Sequence, residues 1–261
     1  MTKIQIVGGG KMGEALLAGL LASGFAEPAE VRVVEVLDAR AAELREAHAG
    51  VEVTDAVGAA TGTVIAVKPK DVASAVTAAV QAGTDRILSI AAGVTLVTLE
   101  AAAGDVPVVR AMPNTPALVG QGAAAIAGGS TATGDDLAWA EQVLGAVGIV
   151  ERVSEPLLDA VTGLSGSGPA YVFLVAEALV EAGVLNGLPR PTAVALAQQT
   201  LLGASTLLAD SDDDAATLRG NVTSPGGTTA EGLRVLEARG VRAAFLEAVT
   251  AATERSRELG A

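Results

Sequence analysis

The sequence predicts an α/β protein: an N-terminal Rossmann-type doubly wound sheet followed by an all-helical C-terminal domain. Three observations carry this reading. Short β-type runs alternate with helical stretches through the first half, as in a parallel sheet with crossover helices. A Gly-x-Gly-x-x-Gly turn, Gly8 to Gly13, joins the first run to the first helix. From Leu157 onward the two-residue period is gone and apolar helical stretches follow one another.

Lys3–Val7 is the first β-type run, and the helix after the glycine turn carries Glu14–Leu21. Gly8 permits a tight turn, Gly10 lets a pyrophosphate approach the backbone, and Gly13 lets helix and strand pack closely. Lys11 and Met12 lie between them, at the helix N-terminus where a phosphate would sit. A second run, Val31–Val34, ends at Glu35. An acid there accepts hydrogen bonds from a ribose 2′-OH and repels a 2′-phosphate, which favours NADH over NADPH. Arg40, a little later, softens that preference, and the plain reading of Glu35 is a solvated strand end.

Further runs are Val64–Val67, Ile87–Ser89 and Val108–Arg110, with helices over Asp71–Gln81 and Leu96–Ala102 between them. Ligands of open α/β sheets bind at the carboxyl ends of strands. The cofactor is therefore expected against Val67-Lys68-Pro69, the Ser89–Gly93 turn with Ala92, and the Met112–Pro116 turn with Asn114. Asn114 has the donor and acceptor to match a nicotinamide amide. Lys68 has the chemistry of a general acid, but a lysine at a strand end is more often a solvated charge. A helix over Asp135–Gly145, capped near Thr133 or Gly134, and a final strand at Ile149–Val153 complete the domain. The division falls near Ser154-Glu-Pro156, giving domains 1–154 and 155–261.

The second half has helical stretches at 157–164, 170–183, 192–209, 230–239 and 241–259. The 170–183 stretch is apolar on nearly every face and so must be buried. A domain of this size cannot easily bury several such helices alone, so a partner subunit is expected. Two segments stand out as helix openings rich in glycine and hydroxyls: Ser165–Tyr171 and Thr223–Thr229. Free N–H groups and the helix dipole make such openings anion sites, which points to a small acidic substrate.

The composition bounds the rest. Half of the residues are hydrophobic, many of them alanine, and only 2% are aromatic, which suits helices packed through small side chains. A formal net charge of −13 argues against nonspecific nucleic-acid binding. The absence of cysteine excludes disulfides, thiol nucleophiles and thiolate metal sites. The uncharged 111–134 stretch is too rich in Gly, Pro and Asn to span a bilayer, and the start shows no secretory pattern, so a cytoplasmic protein is expected. Asp210–Asp214 reads as a solvated loop, and no metal is expected. The single histidine, His48, reads as structural near a helix end. Alcohol–ketone dehydrogenases usually need an acid or base on the carbinol oxygen. No such group is evident, whereas hydride transfer to an iminium needs mainly positioning.

These segments together resemble the pyrroline-5-carboxylate reductase family, essentially end to end. The resemblance rests on Ile6–Gly13, Ala66–Pro69, Arg110–Pro116, Ser165–Tyr171 and Thr223–Thr229. It implies NAD(P)H-dependent reduction of Δ1-pyrroline-5-carboxylate to L-proline. It also implies a helical domain interwoven with a twofold mate, at least a dimer, and an active site between the domains. By the same resemblance Ser224, Gly226, Gly227 and Thr228 hold the substrate carboxylate, and the Thr229 hydroxyl meets the ring nitrogen as the catalytic contact. On their own, these hydroxyls also read as helix N-caps, and Tyr171 reads equally as core packing. The Glu35-Val-Leu sequence departs from members favouring NADPH, which leaves the choice between NADPH and NADH open. A β-hydroxyacid dehydrogenase would need a lysine in its second domain, and none follows Lys70. A non-catalytic dinucleotide-binding regulator would not need the Thr223–Thr229 loop.

Overall fold

The computed structural model describes residues 2–260. Strands β1 (Ile4–Val7), β2 (Val31–Val34), β3 (Glu52–Thr54), β4 (Gly62–Ile65), β5 (Ile87–Ser89), β6 (Val108–Met112), β7 (Gly122–Gly128) and β8 (Gly148–Arg152) form one sheet. Its order is β3-β2-β1-β4-β5-β6-β7-β8. Every pairing is parallel except β6 with β7, so the doubly wound sheet is parallel with one reversed junction. The reversal follows from a short link: residues 113–121 are too few for a crossover helix, so the chain turns straight back.

Helices α1 (Lys11–Ala22), α2 (Asp38–Ala47), α3 (Val72–Ala82), α4 (Leu96–Ala103) and α5 (Gly134–Gly145) cover the sheet. β1 and β4 are buried at every position, as expected of central strands covered on both faces. One core cluster joins Leu16, Leu17 and Leu20 of α1 to Ile4, Ile6 and Val64, with Val143 and Leu144 of α5. A second joins Val72 and Val76 of α3 and Leu99 of α4 to Ile65, Ile87 and Val108. α5 starts with a capping box: the Thr133 hydroxyl accepts from Asp136 N, and the Asp136 carboxylate accepts from Thr133 N at 2.9 Å.

Helices α6 (Leu158–Val161), α7 (Gly168–Leu185), α8 (Arg190–Asp210), α9 (Ala215–Asn221), α10 (Thr228–Ala238) and α11 (Val241–Gly260) follow. The change from strands to helices thus lies between Arg152 and Leu158. By packing, the chain forms two compact units. One holds the sheet, α6 and the end of α11 from Thr250; the other holds Gly168–Val249. In the first unit Ser256 Oγ donates to Asp159 Oδ1 at 2.7 Å, tying the end of α11 to α6. In the second, α7 and α8 pack closely where Gly183 lies against Ala193.

Candidate active site

The strand order reverses between β1 and β4, and the turns after these strands lie side by side. Gly8 takes φ +109°, and a Cβ there would lie 2.6 Å from the Ala66 carbonyl oxygen. A Cβ on Gly13 would collide with the Gly8 carbonyl, so α1 approaches the turn as closely as backbone allows. Over Gly10 the space is open: a Cβ would meet nothing within 4 Å. Gly10 is also the N-cap of α1 and supplies no side-chain cap. The N–H groups of Lys11, Met12 and Gly13 therefore head the helix without an intrahelical acceptor. Open space over free N–H groups at a helix N-terminus fits a dinucleotide pyrophosphate.

Glu35 follows β2 and faces this turn. Its Oε2 accepts from Gly9 N at 3.1 Å and its Oε1 from Leu37 N at 2.9 Å. Each oxygen keeps lone-pair capacity for a ribose hydroxyl. Arg40 donates from Nε to the Gly9 carbonyl at 2.8 Å and from its other nitrogens to Glu14 and Glu43. The Arg40 hydrogen bond is the largest cause that holds the Glu14 carboxyl below its ordinary pKa. His48 caps the end of α2, with Nε2 3.4 Å from Glu14 Oε1, so it belongs to the support of the turn.

Val67, Lys68 and Pro69 lie just past β4, because that strand ends at Ile65, two residues earlier than the sequence suggests. Lys68 is exposed and precedes a short turn begun by Pro69. Ala92 is exposed beyond β5. Asn114 follows β6 and is buried. Its Oδ1 accepts from Ala123 N at 2.8 Å and its Nδ2 donates to Ser165 O at 3.0 Å. Both ends of this amide serve the fold, so a nicotinamide contact would have to use its second N–H or second lone pair.

The Asn114–Ser165 contact accompanies a feature absent from the sequence reading. Residues Thr162–Gly166 form a π-helical turn between α6 and α7, in which Ser167 N donates to Thr162 O at 2.8 Å. Ser165–Tyr171 does hold the start of α7, at Gly168, but the expectation of free N–H groups is corrected at Ser167, whose N–H is taken. Helical backbone already runs through Ser165, and the Ser165 hydroxyl donates to Val161 O at 3.1 Å. The cause is legible afterwards. Pro169 has no N–H, so the Ser165 carbonyl four residues earlier loses its helical donor. Asn114 supplies one. π-helical turns recur at functional sites.

In the second unit, the Thr223–Thr229 loop does open a helix. Gly227 N donates to Ser224 O at 3.0 Å, Gly226 takes φ +68°, and α10 starts at Thr228. The N-cap is Gly227, with no side-chain cap, so neither Ser224 nor Thr229 holds the capping role. A Cβ on Gly227 would collide with the Ser224 hydroxyl, so glycine is what lets that hydroxyl lie over the turn. The Thr228, Thr229 and Ala230 N–H groups head the helix without an intrahelical acceptor. Ser224, Thr228 and Thr229 are exposed. Free N–H groups at a helix N-terminus suit an anion, and three hydroxyl-bearing residues belong to this turn.

A cavity of about 540 Å³ lies elsewhere, among Lys3, Phe25, Arg86 and Trp139. Lys3 and Arg86 precede β1 and β5, so it marks the amino edge of the sheet, opposite the edge where ligands of such sheets bind.

The chain is 45% identical to the pyrroline-5-carboxylate reductase of Synechocystis sp., across 99% of this chain and 98% of the relative. It belongs to the pyrroline-5-carboxylate reductase family. The family model for pyrroline-5-carboxylate reductase dimerisation matches residues 155–259. A model for NADP oxidoreductases, coenzyme F420-dependent, matches residues 3–93. The solved structure of a pyrroline-5-carboxylate reductase from Coxiella burnetii superposes with a TM-score of 0.93 at 37% identity, covering 100% of this chain and 99% of that one. The Plasmodium falciparum pyrroline carboxylate reductase, solved with NADP bound, gives 0.83 at 28% identity, covering 100% and 98%. The segments on which the resemblance rested divide in the structure. The glycine turn and the Thr223–Thr229 loop are open to ligands, while Asn114 and Ser165 bond each other inside the first unit.

Proposed function

We propose that this chain reduces Δ1-pyrroline-5-carboxylate to L-proline with NADPH or NADH, the last step of proline biosynthesis. The observation that carries this reading is the uncapped N-terminus of α10, with glycine at its cap and the Ser224, Thr228 and Thr229 hydroxyls around it. An acidic protein of net charge −13 that binds an acidic substrate must create positive potential locally, and free N–H groups do so without a cation.

The roles follow. Gly8, Gly10, Lys11, Met12 and Gly13 hold the cofactor pyrophosphate through the N-terminus of α1. Glu35 takes the ribose, and Val67, Lys68, Pro69, Ala92 and Asn114 line the strand ends beside it. The reduced nicotinamide supplies a hydride. The backbone of Gly226, Gly227 and Thr228, with the Ser224 hydroxyl, binds the substrate carboxylate. The Thr229 hydroxyl accepts from the N–H of the protonated ring nitrogen and holds the C=N bond in place. Hydride joins the imine carbon, and the nitrogen keeps its proton and becomes a secondary amine. No histidine base is needed, which suits a chain whose one histidine supports Glu14. Cofactor binding is assigned to residues 1–154 and substrate binding to 155–261.

The active unit is a homo-oligomer of at least two chains, acting in the cytoplasm without nucleic acid or membrane. α7 has no buried residue, and Phe173 is 64% exposed in the single chain. Steady-state oxidation of NADPH and NADH tests the reaction. Rapid turnover is expected with the cyclic imine and none with 2-keto or 3-keto acids. The reverse pattern would refute the assignment.

A further inference from the structure

Arg40 stands in the first turns of α2, just past β2, where a cation would meet the 2′-phosphate of NADPH. Its guanidinium is committed elsewhere. Nε donates to the Gly9 carbonyl at 2.8 Å, Nη1 to Glu43 Oε2 at 2.8 Å and Nη2 to Glu14 Oε2 at 2.5 Å. The side chain is 24% exposed and lies along the turn, held by these bonds. Glu14 belongs to the first turn of α1, beside the N–H groups that face the pyrophosphate. A bare carboxylate there would repel both cofactors, and Arg40 neutralises it. Glu43 is 65% exposed, a weaker tether than the half-buried Glu14. His48 Nε2 holds Glu14 Oε1 from the other side, which fixes the carboxylate toward Arg40.

We propose that Glu14 is a specificity-determining residue: by holding Arg40 against the glycine turn, it withholds that cation from a 2′-phosphate and biases the site toward NADH. Glu35 repels a 2′-phosphate directly, and Glu14 denies it a partner. The two devices are separate, and this one rests on the cofactor reading given above. Arg40 thus has two possible uses. It either neutralises the first turn of α1, which serves both cofactors alike, or pairs with a phosphate that only NADPH carries. Glu14 decides between them.

Calorimetric titration of the intact protein with NADPH and with NADH, without substrate, tests this. Glu14→Gln keeps the shape and removes the charge that holds Nη2. It should improve NADPH affinity relative to NADH by about tenfold, the worth of one charge-assisted contact. Arg40→Ala should weaken both cofactors and leave their ratio near that of the parent. The double variant Glu14→Gln with Arg40→Ala should lose the gain. Glu14→Asp, which keeps the charge, should retain the parent ratio and shows that the position tolerates change. An unmoved ratio in Glu14→Gln, or a gain that survives removal of Arg40, would overturn the inference. If neither nucleotide binds the parent protein, the cofactor reading itself fails; if both bind and only the ratio stays fixed, this inference alone fails.

Discussion

In the proposed reaction, Thr229 is the residue on which the chemistry turns. Its place in the first turn of α10, after an uncapped Gly227, leaves its hydroxyl without a capping duty. Thr229→Val should therefore lower kcat/KM by roughly 10- to 150-fold, the loss of one hydrogen bond to a charged group, with no fall in melting temperature. Thr229→Ser should keep much of the activity. Normal kinetics in the Val variant would remove the hydroxyl from the mechanism. Asn114 should behave in the opposite way. Asn114→Ala removes the partners of the part-buried Ala123 N–H and Ser165 carbonyl, a cost of about 1 kcal/mol for each bond. Urea unfolding should show this loss, and unchanged stability would contradict the tethering role. The Glu14 carboxyl, held below its ordinary range chiefly by Arg40, adds a pH signature. Because its folded pKa is lowered, its contribution is fully present above the ordinary carboxylate range. It is lost as pH falls through the folded value. The melting-temperature gap between the parent and Glu14→Gln should narrow on acidification through that window; a gap that widens would contradict the assignment.

At the scale of elements, the sequence was legible wherever residue type and period agreed. Val31–Val34 is β-branched apart from Arg32 and reads as a strand in both. Thr133 with Asp136 marks the start of α5, and Thr133→Ala should cost about 1 kcal/mol by losing that cap, measurable as a shift in the denaturation midpoint. β7 went unread because Gly122–Gly128 is alanine and glycine around one isoleucine, with no β propensity and no alternation. Its pairing with β6 and β8 makes it a strand, and that is a tertiary cause. β3 is three residues long, too short for a period, and α9 is set by Asp214, whose carboxylate accepts from Thr217 N at 2.8 Å within a run that reads as loop. The π-helical turn needed two distant facts at once, the missing N–H of Pro169 and the buried amide of Asn114. Of the candidate site, the glycine turn and the Thr223–Thr229 loop were legible because glycine reports backbone approach locally. The commitment of Arg40 to Glu14 was not, since nothing in residues 14 and 40 alone brings them together.

For the whole molecule, the distribution of apolar surface is the main clue. Glu155–Leu185 and Arg190–Asp210 are helical stretches long and apolar enough to cross a membrane by length and composition. Both lie within the segment matched by the dimerisation family, where a second copy is the proposed cover. Light scattering should find no active monomer. Phe173→Asp, which charges a side chain 64% exposed in the single chain, should shift the population toward smaller species and lower melting temperature. An unchanged assembly would place the seam elsewhere. An isotope follows the proposed transfer of hydride to the cyclic imine most closely. The purified protein would be given Δ1-pyrroline-5-carboxylate with a nicotinamide cofactor carrying deuterium at both C4 positions. L-proline one mass unit heavier is expected, with the deuterium on the ring carbon that was doubly bonded to nitrogen. Unlabelled proline, or no cofactor oxidation with the imine present, would contradict it.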